Sequence, residues 1–425
     1  MTTPTAADRP RAPEPQASGA STKVWLTISL LSIGTFATGT DAFITTGVLP
    51  RLASSLQVSA GRAGQLVTIF AWVYGIGSPV LMTLTGRIGR KLLLAVAMAL
   101  FGLSNFAVLL LDNFGELAIA RILAAAFAAV YVPGAAVVAA MIAPPDKRGR
   151  ALALVIGGSS LATVLGVPAG IWISDAFHSW RAAFVFVGIL SMVSFIAIVL
   201  ALPSIPTPPT VGLRTRVSAL GQPAVLGVLL VTALAMTGGF TVFTYLAPIM
   251  SRVAPLNSGK LEWLVFTFGV ASLLGSALAG HGSDRLGSYR VAAVALIVLI
   301  ANFIAFYYAI RTLPGAFITM AVWGVAAWGF LPAQQHRLVG LAPRAANIVI
   351  SLNSSALYIG IALGSLIGGS LVGHFDTGVL RWFAAGLDLC ALVLSVTVGK
   401  LAVSSEGVIS DGSKSLSQLG RRGRD

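Results

Sequence analysis

The sequence predicts an all-α integral membrane protein of twelve transmembrane helices arranged as two six-helix, pseudo-symmetric halves. Three observations lead there. The 425 residues are 56% hydrophobic and only 10% charged, with mean hydropathy +0.89, more apolar sequence than a water-soluble core absorbs. The apolar residues fall in long runs divided by short basic gaps. Parts of the first half recur in the second at one constant offset.

A spanning helix needs about 20 mainly apolar residues, and the runs supply twelve. They are Val24–Val48, Ala63–Leu84, Leu92–Leu111, Leu117–Ile142, Ala151–Ile173 and Ala183–Leu202, then Ala224–Met250, Trp263–Gly280, Val291–Ile310, Gly315–Val339, Ala345–Val372 and Val379–Val398. The Pro-rich stretch between the sixth and seventh divides the halves. The expected organisation is a disordered cytoplasmic tail (1–22), a first half (23–202), a cytoplasmic linker (203–222), a second half (223–400) and a cytoplasmic tail (401–425). The tail before Val24 is rich in Pro, Ala and Thr, a composition that does not fold alone. The run after it lacks a small-residue cleavage site and reads as a retained span.

Basic residues set the orientation. With the N-terminus inside, the inner loops hold Arg87, Arg90, Lys91, Lys147, Arg148, Arg150, Arg214, Arg216, Arg285, Arg290, Arg337 and Arg344. The outer loops hold fewer: Arg51, Arg62, Arg181, Arg252, Lys260, Arg311 and Arg381. The bias places both termini in the cytoplasm of a cell inner (plasma) membrane, with Arg421, Arg422 and Arg424 in the last tail. The net charge of +14 is thus spread over loops, which argues against a nucleic-acid surface. Cys390 is the only cysteine, which excludes an intramolecular disulfide and a cysteine-rich metal site. No cofactor and no metal is implied.

The repeat is visible by eye. Gly86-Arg87-Ile88-Gly89 follows the second span, and Asp284-Arg285-Leu286-Gly287 follows the eighth, 198 positions on (284 minus 86). The same offset carries Ala162, Gly166 and Gly170 onto Gly360, Gly364 and Gly368. With Gly158 and Ala356 these small residues form a flat ridge at four-residue spacing along the fifth and the eleventh helix, where another backbone can approach. Ordinary close packing explains such ridges as well as a functional role does. Pro168 removes a backbone hydrogen bond beside the first ridge and predicts a kink.

Asp41 stands inside the first apolar run with no cation near it in sequence. A carboxylate there costs about 2.5 to 3.5 kcal/mol on insertion scales and marks a cavity or a proton pathway by default. Asp41 lies about nine residues from the outer end at Pro50 and Arg121 about eight from the cap-like Asn113, depths of roughly 13 and 12 Å. One level therefore holds both charges. Burial opposes ionisation of the acid while a guanidinium favours it, so a rearrangement between them can load or release a proton. The other reading is a static ion pair that pins helix packing. Asp388 in the last span has the alternatives of a local hydrogen bond or a place near a helix end. Tyr131, Phe240, Trp328 and Tyr358, with Asn353 and Asp41, are candidates to line a substrate cavity of mainly apolar character; packing is the alternative for each aromatic.

These stretches together resemble the major facilitator superfamily, and within it the twelve-helix drug/proton antiporter branch near the arabinose-efflux-permease-like exporters. The resemblance rests on GTDAFITTGVLPRLA, GQLVTIFAWVYGIGSPVL, TGRIGRK, LAIARIL, ATVLGVPAG, HSWRAAFVF, GHGSDRLG and LNSSALYIGIALGSLIGG. It implies the fold named above and assigns the first-helix acid and the fourth-helix Arg, here Asp41 and Arg121, to proton coupling. It implies an inner gate at Arg87, Gly89, Arg90 and Lys91 and at Gly280, Asp284, Arg285 and Gly287, although Gly86 stands where the family has an aspartate; plain topological charge is the other reading of Arg87, Arg90 and Lys91. VLGVPAG, with Gly158, Gly166, Pro168 and Gly170, is similar to the antiporter motif of the fifth helix, with Val167 inserted between the Gly and the Pro.

The expectation is a secondary active transporter that exports a small organic molecule in exchange for protons, working in the lipid bilayer as a monomer. Multidrug efflux and antibiotic resistance are the implied roles. Export of a sugar, nucleobase or amino-acid-like metabolite, or a non-transporting membrane receptor, are the alternatives. An ATP-driven pump or membrane enzyme is disfavoured, since neither a phosphate-binding Gly-x-x-x-x-Gly-Lys-Ser/Thr loop nor His-Glu-x-x-His occurs.

Overall fold

The computed structural model describes residues 17–205, 212, 218–253 and 260–399. Residues 1–16 of the first tail, most of the linker with Arg214 and Arg216, and the last tail with Arg421, Arg422 and Arg424 lie outside them; the disorder expected through residue 22 does not hold for residues 17–22, which open the helix Ala17–Ser55. Among the described residues twelve helices are long and apolar enough to cross a membrane: Lys23–Ser55, Ala60–Arg87, Arg90–Leu110, Phe114–Ile142, Pro145–Ala176 and Trp180–Ala201, then Pro223–Phe243, Leu261–Leu286, Ser288–Ala309, Leu313–Leu341, Ile348–His374 and Val379–Gly399. Each overlaps one of the twelve expected runs. They are numbered here as spans one to twelve, and an even number leaves the first and last on one face, called the terminal face.

Local chemistry sets several ends. Ser59 and Asn113 cap the second and fourth spans, each side-chain oxygen accepting a backbone N–H three residues on, from Arg62 and Glu116. Gly287 ends the eighth span at φ 85°, a conformation that favours glycine. Large apolar residues such as Leu110, Leu200, Leu278 and Val294 point outward, more than half exposed, as lipid-facing positions do. One apolar cluster crosses both halves through Ile44, Phe184, Phe240, Phe268 and Phe330, and a second fills the first half around Leu94, Phe101 and Tyr131.

Three spans differ from the sequence expectation. The first continues past Val48 and through Pro50 to Ser55. The seventh, expected to run unbroken to Met250, stops at Phe243; a turn at Thr244 and Tyr245 leads into a separate short helix, Leu246–Val253. Tyr245 donates to the Ser365 carbonyl at 2.8 Å, which ties that turn to the eleventh span. The fifth winds as a π-helix over Ala162–Gly166, where Val167 N–H reaches back to the Ala162 carbonyl. The wide turn abuts Pro168, whose missing N–H leaves the carbonyl four residues earlier without its usual donor.

The ridges explain the repeat in space. Gly158, Gly166 and Gly170 lie against Thr35, Thr40 and Ile44 of the first span. Gly360, Gly364 and Gly368 lie against the seventh, over Ala233, Thr237 and Thr241. Each half thus packs its fifth helix on its first. The halves meet through the second span on the eleventh and the fifth on the eighth. Gly61 faces the Gly369 carbonyl, Gly75 faces Tyr358, and Gly269 faces the backbone of Thr163 and Val164. These glycine-lined approaches lie from mid-depth to the face opposite the termini.

Candidate functional site

The first and fourth spans bring Asp41 and Arg121 together. Arg121 Nη1 donates to Asp41 Oδ1 at 2.6 Å, and Nη2 donates to the Asp41 carbonyl at 3.0 Å. Both side chains are buried, 0% and 2% exposed, so a direct ion pair stands near the middle of the bundle, where water does not screen it. Asp41 Oδ2 and Arg121 Nε have no hydrogen-bond partner among the described residues.

Aromatic rings complete the surroundings of the pair. The Arg121 guanidinium lies 4.5 Å from the Phe70 ring centre and 5.4 Å from that of Phe184, which adds cation–π attraction. Phe70 stacks on Tyr74, and Tyr74 stacks on Tyr358 of the second half at 3.9 Å between ring centres. Two residues beyond Asp41, Phe43 stacks on Phe240 of the seventh span at 5.7 Å. The buried pair is therefore linked to the junction of the halves through Phe70 and Tyr74, and Phe43 reaches the junction from the same helix as Asp41.

Phe240 and Trp328 line one narrow space of about 10 Å³ in the second half with Met236, Gly239, Phe243, Phe268, Phe303 and Trp323. The cleft holds no charged side chain. Two cavity candidates fall elsewhere. Tyr131 packs on Gly34 and donates to the Leu31 carbonyl at 2.9 Å, inside the first half. Asn353 accepts from Thr232 at 2.9 Å in a polar cluster with Gln334. Both are held by packing because their polar atoms find partners within one half.

The gate stretches are not brought together as charge pairs. The described residues form three ion pairs, Asp41–Arg121, Arg51–Asp175 and Arg181–Asp112, and none includes Arg87, Arg90, Lys91, Asp284 or Arg285. Arg90 opens the third span 4% exposed, with Nε and Nη1 unpartnered, and Gly86 beside it supplies no carboxylate. Gly89 is the cap residue before it, and Gly280 lies within the eighth span. On the opposite face Arg51, Ser174, Asp175, Met250 and Leu264 line a cavity of about 260 Å³ between the halves.

Sequence reasoning missed Phe43, Phe70, Tyr74 and Phe184. Phe43 was within reach, since it follows Asp41 by two positions; the others depend on which neighbouring helix faces the pair. The Arg51–Asp175 contact was likewise hidden, because its partners lie on different spans.

A twelve-span bundle of two repeated halves, with a charge pair buried inside the first half, has the build of a membrane carrier. The chain belongs to the Major Facilitator Superfamily, which it matches over residues 31–365, and it is a multi-pass membrane transporter of that family. Over 371 residues it is 30% identical to the uncharacterized MFS-type transporter YbcL of Bacillus subtilis (strain 168), covering 87% of this chain and 95% of that one. In fold it is similar to the D-xylose-proton symporter (TM-score 0.70, 17% identity, 88% of this chain and 97% of that one). It is also similar to a bacterial homologue of the human lysosomal transporter Spinster (TM-score 0.66, 18% identity, 90% and 96%). Transporters of this family handle small molecules in a lipid bilayer.

Proposed function

We propose that this transporter exports a small organic molecule, drug-like or metabolite, in exchange for protons by alternating access, with both termini in the cytoplasm. The observation that carries the reading is the buried 2.6 Å Asp41–Arg121 pair, connected to the other half through Phe70, Tyr74 and Tyr358. An intramembrane acid so placed is functional by default, and carrier sites lie at the junction of repeats. The fifth-span stretch with Gly158, Gly166, Pro168 and Gly170 supports export.

In this reading a proton from the outer side neutralises Asp41 and removes the attraction that fixes Arg121 Nη1. Arg121 keeps its bond to the Asp41 carbonyl and its aromatic neighbours, so the change is a local loosening. Phe43 and Tyr358 carry that loosening to the junction of the halves. Release of the proton to the cytoplasm restores the pair. The space among Phe240, Phe243, Trp323 and Trp328 is only about 10 Å³, so it receives a substrate only once the halves move apart, and its rings favour an apolar face on that molecule.

The driving force suffices. One proton crossing about 100 mV gains roughly 2.3 kcal/mol, and one pH unit adds about 1.4 kcal/mol. Exchanged one for one with a neutral substrate, this sustains a gradient of a few hundredfold.

The test is proton release by the purified protein in detergent as amphipathic drugs, sugars and nucleobases are added, wild type against Asp41→Asn. Release triggered by a binding ligand and absent from the variant is expected. Binding without release, or release undiminished in the variant, would remove Asp41 from the coupling role.

A further inference from the structure

The second half contains a buried carboxyl that this reading does not use. Asp388 lies in the twelfth span, 0% exposed, and neither carboxyl oxygen has a hydrogen-bond partner among the described residues. It faces Gly238 of the seventh span, where an added methyl would come within 3.1 Å of Asp388 Oδ1. The backbone it faces, not its own position, follows the internal repeat. The offset that lays the fifth span on the eleventh lays Asp41 on Gly239, the neighbour of Gly238. Where the first half draws its acid from its first helix, the second draws one from its last into the corresponding region.

The charged surroundings are sparse. The seventh span has no titratable residue. The ninth has Tyr289, Arg290, Tyr307 and Tyr308 in its end turns. On its own helix Arg381 is stacked on Tyr307, Tyr308 and Trp382, and Cys390 is exposed. From the tenth span, which also carries His336, Arg337 donates to Ser395 at 2.8 Å. Ser395 is on the face of Asp388, about 10 Å further toward the terminal face. An ionised carboxylate without donor or cation is not sustained at such depth. With a proton attached, the same group is tolerable.

We propose that Asp388 is a second proton-carrying residue, so that one transport cycle moves up to two protons. The carboxyl takes a proton from water when its region opens to one face and returns it to water when it opens to the other; an O–H bond forms and later breaks, and nothing is oxidised or reduced. Ser395 and Arg337 mark the polar end of its route to the terminal face. The proposal rests on the proton-coupled reading for its place in transport, but its test does not depend on Asp41.

Infrared difference spectra of the full chain in lipid, taken between acid and alkaline pH, read carboxylic acid directly. A carboxylic C=O band that disappears at alkaline pH is expected in wild type and in Asp41→Asn, and is expected to be lost in Asp388→Asn. A band that persists at every pH, or one that Asp388→Asn leaves intact, would overturn the proposal. Should Asp388→Asn fail to fold, labelling of wild-type Asp388 by dicyclohexylcarbodiimide, located by mass spectrometry, replaces it. Labelling that falls as pH rises supports proton exchange; pH-independent labelling, or none, overturns it. Loss of the Asp41 coupling role with a titrating Asp388 would instead indict the first reading alone.

Discussion

The two halves share a backbone plan but treat a buried acid in opposite ways. In the first, Asp41 is bound to Arg121 through its carboxylate and its carbonyl, and rings close over the guanidinium. In the second, Asp388 has no hydrogen-bond partner among the described residues and faces a glycine. A pair resists the loss of either member, whereas a lone carboxyl is already where its charge is least welcome. The difference teaches that repeat symmetry constrains packing while leaving the chemistry of each half free. The ridges on the fifth and eleventh spans obey the offset, and the acids sit on different helices.

The comparison is broken most strongly at Arg121. Arg121→Ala leaves Asp41 buried and unpaired, and removal of one member of such a pair costs about 3 to 5 kcal/mol. A large fall in thermal midpoint in detergent is expected. Asp41→Asn combined with Arg121→Gln removes both charges and should regain most of the midpoint without regaining proton-coupled transport. Asp388→Asn, by contrast, should move the midpoint little, because no ion pair is lost. Equal falls at Asp41→Asn and Asp388→Asn would erase the distinction between the halves.

The ridges sharpen it next. At Gly364 an added methyl meets backbone, the Thr237 carbonyl at 2.5 Å and the Thr241 N at 2.9 Å. At Gly166 it meets chiefly the Thr40 side chain, whose hydroxyl is bonded to the Phe36 carbonyl at 2.8 Å. A side chain can turn away, and a helix backbone cannot. Gly364→Ala should therefore cost about 1 to 3 kcal/mol, in the range of overpacked cores, and Gly166→Ala less. Folded yield and thermal midpoint of the two variants give the order directly, and a reversed order would contradict it.

How far these features were legible depends on whether they are written along one helix or between several. Span number follows from hydropathy because lipid leaves a helix little choice, and the pairing of Asp41 with Arg121 follows because depth is countable along each helix. Tyr131 and Asn353 were misplaced for the opposite reason. Composition shows that a helix face is buried, but not whether it faces the cleft or a neighbour inside one half. The break after Phe243 was invisible because Thr244 and Tyr245 sit within a mainly apolar run, and what distinguishes them is that both bond Ser365 of the eleventh span.

The smallest expected effect concerns the contact joining the two halves. Tyr358 stacks on Tyr74 at 3.9 Å, an aromatic pair worth about 0.5 to 1.5 kcal/mol beyond its area. Tyr358→Phe keeps the ring and should leave the thermal midpoint nearly unchanged, while Tyr358→Ala should lower it modestly. The informative quantity is the transport cycle. If the stack only pins the halves, Tyr358→Ala changes stability and leaves the number of protons exchanged per substrate as in wild type. If it transmits the state of Asp41, the variant uncouples, and substrate flux continues with fewer protons. Tyr358→Phe then separates ring from hydroxyl, because full coupling in Phe with loss in Ala assigns the transmission to stacking alone.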